Sequence, residues 1–591
     1  MQRAEAFRKQ GMKPDDPAKV ANTYSHLVDE LFDLRVLDPA MGSGHFLVEA
    51  VDFLCDHILG QKEGFLQAFP WNPVTAFLQE TRQAILTEME RQNVTIDASR
   101  LTDINLLKRH ILKRCVYGVD LNPMAVELAK VSLWLDCFTL GAPLSFLDHH
   151  LKCGNSLIGT TVQEVEAELA AQKKGHVGDL FGGPFQGLLS ATAMVEELRR
   201  LPDATIEQAE RSHALYEQFE EAMVSYKAAL DIWVSRHFGN KLAQEYLTLV
   251  GQSYVEEIRS GGKDLSPEYQ EVISTAAGIS REKRFFHWDL EFPEAYIDLE
   301  RKTWKAKDRQ GFDAVFGNPP YDVLATKELR YDITQELHYF KNSTRYDAAI
   351  RGKVNLYKLF ICQATLLIHR RGQISFIIPM TLMGDDQARM VRKFLLTQTE
   401  LDTIECFPQK DDPKRRVFAE AKLATAIFVT KGQYSGKTFQ VRAHPHNVVL
   451  DTSERFLIKP DDVSAFDPEN LAIPSCTQRD WAIINSILNS NAVRLQSIVK
   501  LNQGEINETT CCDYLSSNRV GPTVLRGANI CLYSIREASQ GTQLNISVSD
   551  FLKSKSKDSK ARYNKQSAAT HRAMAPLNNF RRLIGTRIAK G

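Results

Sequence analysis

The run Arg35-Val36-Leu37-Asp38-Pro39-Ala40-Met41-Gly42-Ser43-Gly44-His45-Phe46-Leu47 constrains the fold more than any other stretch of this chain. A short apolar strand, a glycine-rich turn and an amphipathic helix follow one another without interruption, which is the opening unit of a nucleotide-binding α/β sheet. Gly42 and Gly44 let the backbone turn tightly and approach a ligand with no Cβ in the way. Many turns share Gly-x-Gly, so the reading needs a second unit. That unit is Cys115-Val116-Tyr117-Gly118-Val119-Asp120-Leu121-Asn122-Pro123, with a helix expected over Met124–Phe138. An acid at the end of a second strand accepts hydrogen bonds from both ribose hydroxyls in dinucleotide folds, which makes Asp120 the candidate ribose ligand. The same carboxylate equally suits the start of a helix, where the dipole favours it.

A third stretch points to chemistry. The run Gly311 to Gly317 reads as a short buried strand over Asp313–Phe316, and Gly317 with two prolines forces the chain out of the sheet at its carboxyl end. Open α/β sheets bind their ligands there. In Asn318-Pro319-Pro320-Tyr321 the Asn side-chain oxygen and the Pro319 carbonyl can accept both hydrogens of a planar amino group, and neither proline has an N–H to compete. Tyr321 offers an aromatic face to a flat ring carrying that group. Beyond it the pattern predicts a helix from Asn355 to His369 and strands over Gly372–Pro379, Leu401–Phe407 and Ala421–Thr430. The loop between the last two ends in Arg415 and Arg416, which suit phosphate contact and a solvated charged turn equally. Phe418 and Phe428 are aromatic candidates for the opposite face of such a ring, although core packing is the better reading of both.

Length and charge bound the rest. At 591 residues the chain is multidomain, and its 73 Lys and Arg balance 73 Asp and Glu, so any nucleic-acid surface must be local. The most cationic segment is Lys553 to Lys590, with Asp558 as its single acid; Lys553, Lys560 and Arg562 are its candidates for DNA contact, against the plainer reading of a basic tail without order. None of the ten cysteines has zinc-site spacing, so they are read as reduced thiols of a cytoplasmic protein. His287 and Glu291 stand at helical spacing for metal ligands with no second His, so packing and capping are expected and no metal. No apolar run is long enough for a membrane, and no membrane partner is expected.

Several of these strings resemble one family. Asp-Pro-Ala-Met-Gly-Ser-Gly resembles the S-adenosylmethionine loop of type IIG restriction-modification methylases, and Asn-Pro-Pro-Tyr resembles the motif of amino-methyltransferases acting on adenine in DNA. Lys152-Cys153-Gly154-Asn155-Ser156-Leu157-Ile158-Gly159 is similar to their third cofactor segment, where the Asn155 amide would meet the cofactor's adenine edge; alone, Gly-Asn-Ser is a turn. Phe286 to Glu294 is similar to a string just upstream of their catalytic motif, and Asn502–Asn507 and Leu525–Ile530 resemble pieces of their target-recognition domains.

The resemblance implies a class I S-adenosylmethionine-dependent methyltransferase: a doubly wound α/β sheet of about seven strands with helical insertions and a C-terminal mixed recognition region. It implies cofactor contacts from Asp38, Pro39, Ala40, Met41, Gly42, Gly44, Asp120, Asn155 and Ser156, and catalysis by Asn318, Pro319, Pro320 and Tyr321. The substrate would be an adenine N6 amino group flipped out of double-stranded DNA, in a restriction-modification or phage-defence system, with a nuclease or other defence subunit as partner. Expected boundaries are a helical lead-in over 1–34, a cofactor half over 35–159 with an insertion at 61–114, a helical insertion over 160–284, a catalytic half over 285–431 and a recognition region over 432–591. The family's Tyr-Tyr-Thr-Pro type segment is missing before residue 35, and related recognition domains continue beyond residue 591, so a truncated chain is expected. No nuclease motif is found, and restriction by this chain alone is not expected. Two rivals stand beside this reading: a protein-glutamine N-methyltransferase, a class that shares Asn-Pro-Pro-Tyr, and an inactive DNA- or cofactor-binding fragment.

Overall fold

The computed structural model describes residues 31–60, residues 73–490 apart from 95–96, 173–184, 251–252, 264 and 326–331, and short stretches between 493 and 588. The chain divides into two compact units, Met1–Ile484 and Asn485–Gly591.

The first unit is built on one nine-stranded mixed sheet. Its strands are β1 (Val36–Asp38), β2 (Val116–Asp120), β3 (Leu151–Cys153), β4 (Phe312–Gly317), β5 (Ile368–Pro379), β6 (Glu400–Phe407), β7 (Thr425–Lys431), β8 (Phe439–Ala443) and β9 (Phe456–Ile458), in the spatial order β3-β2-β1-β4-β5-β7-β6-β8-β9. The first five positions are parallel, and β7 runs antiparallel between β5 and β6. Seven strands were expected. The count is nine because the sheet does not stop at Lys431: β8 adds parallel to β6, and β9 closes the edge antiparallel to β8. Phe439, Val441, Phe456 and Ile458 bury alternate positions there, a signal too short to stand out in the sequence. The boundary expected at residue 432 therefore falls inside the sheet.

From β1 the chain winds outward through β2 to β3, then returns to the other side of β1 as β4. That reversal is a topological switch point, and the crevice outside the carboxyl ends of β1 and β4 is where such folds bind ligands. Register fixes its floor: Val36 pairs with Ala314 and Leu37 with Val315, so Asp38 and Gly317 leave the sheet as neighbours. A Cβ on Gly317 would lie 2.5 Å from Asp38 Oδ1, and its φ of +142° also favours glycine, so the two loops meet only because this residue has no side chain.

Four helices accompany β1 to β3 and share one core with β2 and β3: α1 (His45–Gly60), α2 (Pro73–Arg91), α3 (Asp103–Cys115) and α4 (Pro123–Asp136). Asp120 and Asn122 set the start of α4. Asn122 Oδ1 accepts from the Met124 amide at 3.0 Å, and Pro123 occupies a first-turn position where its missing N–H costs nothing. The segment between β3 and β4 is helical, with α5 (Phe185–Arg200), α6 (Ile206–Ser235) and α7 (Pro267–Lys283) as its main members. It packs on the sheet through buried ion pairs. Lys152 on β3 pairs with Glu291 at 2.7 Å, and Glu291 with Lys227 of α6 at 2.8 Å. Burial raises the Glu291 pKa, but the two ammonium groups outweigh it and bring the carboxyl down to about 2.

In the second unit the described residues form two-stranded pieces, Leu515–Ser516 with Asn545–Ile546, Ile530–Cys531 with Ser534–Ile535, and Ala568–His571 with Gly585–Ile588. Cys511, Val524, Ile546 and Phe551 make a small core of its own. No described helix is long and apolar enough to cross a membrane.

Candidate active site

The turn after β1 is shaped by its own carboxylates. Asp38 Oδ1 accepts from the Ala40 amide at 3.0 Å within the turn, and Asp120 Oδ2 accepts from the Gly42 amide at 2.9 Å, so one acid shapes the turn and the other ties it to the end of β2. Asp120 Oδ1 accepts from the Asn122 amide at 2.8 Å, which leaves each of its oxygens further acceptor capacity toward the crevice. Asp38 is 1% exposed. Burial, partly offset by the Ala40 amide and reinforced by the Asp120 charge, pushes its carboxyl up to about 7. Gly44 approaches α4 closely: a Cβ there would lie 3.0 Å from that of Ala129.

Met41 does not face the crevice as a side chain. It is buried in the core between α1 and β2, where a Cβ on Gly118 would run into its sulfur, and only its backbone belongs to the loop. Ser156 is buried too, and its hydroxyl donates to the Pro39 carbonyl at 2.6 Å, tying the third segment to the first loop. Asn155 lies at the crevice with its side chain already engaged: Oδ1 accepts from the Leu157 amide at 3.1 Å, and Nδ2 donates to the Lys283 carbonyl at 3.4 Å.

These segments enclose a cavity of about 810 Å³ whose lining includes Pro39, Ala40, Asp120, Asn155, Ser156 and Asn318. The structure thus brings three sequence-distant candidates, Asp120, Asn155 and Asn318, to one space. Pro320 lines it as well, whereas the neighbouring Pro319 is buried.

Two sets of lining residues had no sequence signal. Glu282 and Lys283, at the end of α7, form one wall, and the neighbouring Arg284 donates from Nη1 to the Leu121 carbonyl. The Arg284 carbonyl accepts from the Asn155 amide at 2.7 Å, so the helical insertion supplies part of the site. Leu324, Phe340 and Phe360 make an apolar side. Acids predominate among the charged lining residues: Asp120, Glu282, Asp322, Asp332 and Glu336 against Lys283, which itself pairs with Glu336 at 2.9 Å.

Tyr321 is held differently from a free stacking face. Its hydroxyl is 2.6 Å from Asn318 Oδ1 and 3.0 Å from the Ile377 carbonyl, and burial pushes the phenol above its usual range. The single hydroxyl proton serves one of these two acceptors at a time, so at least one lone pair of Asn318 Oδ1 remains. Among the described residues the Pro319 carbonyl accepts no hydrogen bond. Phe418 is not a core residue. It is half-buried on the loop between β6 and β7, with its ring centroid 6.4 Å from that of Tyr321 and the planes at 65°. Phe428 is fully buried against Phe376. On the Phe418 loop, Arg416 donates from Nε to the Ala419 carbonyl at 2.9 Å and so serves the loop's own shape, while Arg415 is exposed beside Asp412 at 3.5 Å. Lys553 ends a short helix of the second unit, 3.5 Å from Asp550. Lys560 and Arg562 lie outside the described residues, as do Asn502–Asn507 and nearly all of Leu525–Ile530.

His287 and Glu291 have separate partners. The His287 ring nitrogens meet the Thr160 backbone and Asp231, whereas Glu291 faces Lys152 and Lys227. No cluster of potential metal ligands occurs among the described residues.

Residues 114–412 match the family model described as Eco57I restriction-modification methylase. The chain belongs to that family. A protein of Methanocaldococcus jannaschii named as a type II restriction enzyme and methyltransferase is 24% identical over 401 residues, 64% of this chain and 29% of that one. The Escherichia coli type II restriction enzyme and methyltransferase Eco57I is 29% identical over 96 residues, 16% of this chain and 9% of its own. This member of the family thus spans about 29% of the length of its M. jannaschii relative. A solved structure of the type IIL restriction-modification enzyme MmeI with DNA overlaps 75% of this chain and 37% of the MmeI chain at 12% identity, with a TM-score of 0.29, too low to add to the assignment.

Proposed function

We propose that the chain transfers a methyl group from S-adenosylmethionine to the N6 amino group of adenine in double-stranded DNA, as the modification activity of a restriction-modification system. The observation that carries this reading is the single cavity shared by Asp120, Asn155 and Asn318 at the switch point of the sheet. The residues fit the cofactor. Its volume of about 810 Å³ suits a ligand of nucleoside size, the Asp120 carboxylate keeps acceptor capacity for hydroxyl donors, and the acidic lining suits a cationic ligand. When bound, the cofactor supplies an electrophilic methyl group on a positively charged sulfur.

The chain's own residues prepare the nucleophile. An adenine amino group is a poor nucleophile because its lone pair is delocalised into the ring. Asn318 Oδ1, through its remaining lone pair, and the unengaged Pro319 carbonyl accept the two amino hydrogens and favour a localised lone pair. Tyr321, anchored by its hydroxyl, orients Asn318, and the Tyr321 and Phe418 rings offer aromatic surface to a base taken out of the stack. Orientation and preorganised acceptors then supply the acceleration.

The test is methyl transfer from labelled cofactor, offered double-stranded DNA and a glutamine-containing protein in parallel, with digestion of the DNA to nucleosides. N6-methyladenine is the expected product. Label in protein glutamine, or in cytosine, would replace this reading, and label nowhere would leave a binding fragment.

A further inference from the structure

Six large apolar side chains on and beside α4 face solvent in one line. Leu121, Met124, Leu128, Val131, Leu135 and Phe138 are between 44% and 72% exposed. Their spacing is three, four, three, four, three, the pattern by which one helix presents a seam to another. The opposite face of the helix already has its core: Val126, Ala129 and Leu133 are buried, with Ala129 against Gly44. The outer seam is therefore a second packing face, unused among the described residues and about 20 Å long over the 14 residues of α4. With fully exposed side chains of this size presenting roughly 175 Å² each, those fractions leave roughly 600 Å² of apolar surface in one strip, at the upper end of what monomeric proteins expose.

We propose that this face docks on the same face of a second copy of the chain, with the two helices antiparallel. Three features select that occupant. A spacing of three, four, three, four, three reads identically in both directions, so an antiparallel copy matches it layer by layer: Leu121 on Phe138, Met124 on Leu135, Leu128 on Val131. A two-fold contact needs one self-complementary patch, which this is. The flanks carry a single charged side chain, and it is ion-paired. Ala125 and Ser132 border one side, Glu127 and Trp134 the other, and Glu127 shares Lys130 with Asp148, at 2.7 and 2.6 Å. Two such strips meeting would bury roughly 1,200 Å², which reaches the range of specific interfaces. Leu121 also lines the cavity next to Asp120, so the second copy's Phe138 would stand at the rim of the cofactor site.

The experiment is mass in solution by light scattering and sedimentation, on the full chain at tens of micromolar. The unaltered protein is expected at twice 66.8 kDa. Leu128→Glu should give the single-chain mass with an unchanged thermal midpoint, and so should Val131→Lys. An equimolar mixture of the two should regain the double mass, because these positions face each other in the antiparallel register. Val224→Glu, at an exposed position on α6 outside the seam, should leave the mass doubled. A single-chain mass for the unaltered protein overturns the proposal. So does a doubled mass that survives Leu128→Glu in a folded chain, and a mixture that stays single overturns the register. Methylation is not read at any point, so the outcome is independent of the proposed activity.

Discussion

Replacing Asp38 by Asn should make the first unit more stable in mild alkali and change little in acid. The carboxyl is buried where β1 meets the loop that carries Asn318, and its pKa in the folded chain is about 7, against about 3.9 in an unfolded chain. Below the unfolded value the group is protonated in both states and its charge costs nothing. As pH rises toward 7 the unfolded chain releases the proton and the folded chain does not, so stability falls; above 7 the loss is complete. The full difference of about three pKa units corresponds to about 4 kcal/mol, of which about 2.5 kcal/mol develops between pH 5 and pH 8. Asn keeps the acceptor for the Ala40 amide and cannot ionise. Any cost of its amide is the same at every pH, so the slope is the readout. Asp289, also raised to about 7 by burial, titrates in both proteins and cancels from the comparison. Urea unfolding followed by tryptophan fluorescence reports this unit, because all six tryptophans precede residue 485. The difference in stability between variant and parent should grow by about 2.5 kcal/mol from pH 5 to pH 8. Parallel pH profiles would show that Asp38 is ionised in the folded chain at neutral pH and that the account of its burial is wrong.

Asn318→Ala should lower methyl transfer by at least about a hundredfold, since it removes a preorganised acceptor, while calorimetric cofactor affinity stays within about twofold. Phe418→Ala should weaken productive DNA binding by about tenfold through lost stacking, with Phe418→Tyr restoring it; an unchanged KM for DNA would remove this ring from the site. Glu291→Gln leaves Lys152 buried without that counter-charge and should cost about 3–5 kcal/mol in urea unfolding. In the unaltered protein the Glu291 contribution, present above the usual carboxylate range, should be lost as pH falls through that range toward 2.

The local units of this fold were legible in the chain because each is written in adjacent residues. Val36 to Gly44 and Val116 to Pro123 are strand, turn and helix start in unbroken succession, and their chemistry is backbone chemistry: glycines where the chain turns, a proline where an N–H is dispensable. Asn318 likewise announced itself through two prolines that end β4. What only the tertiary structure decided is which groups meet and which are already occupied. No pattern in the chain says that Gly317 must lack a side chain because Asp38 lies 2.5 Å from where one would start, since the two residues come together only through the pairing of β1 with β4. Nor does any local signal place Glu282 and Lys283 in the wall of the cavity, take up the Asn155 amide with backbone partners, or bring Phe418 from a charged loop to the ring of Tyr321. The two added strands were missed for a related reason. Short strands with alternating burial resemble loop until a neighbour pairs with them: β8 pairs with β6, more than thirty residues earlier, and β9 pairs with β8 in turn.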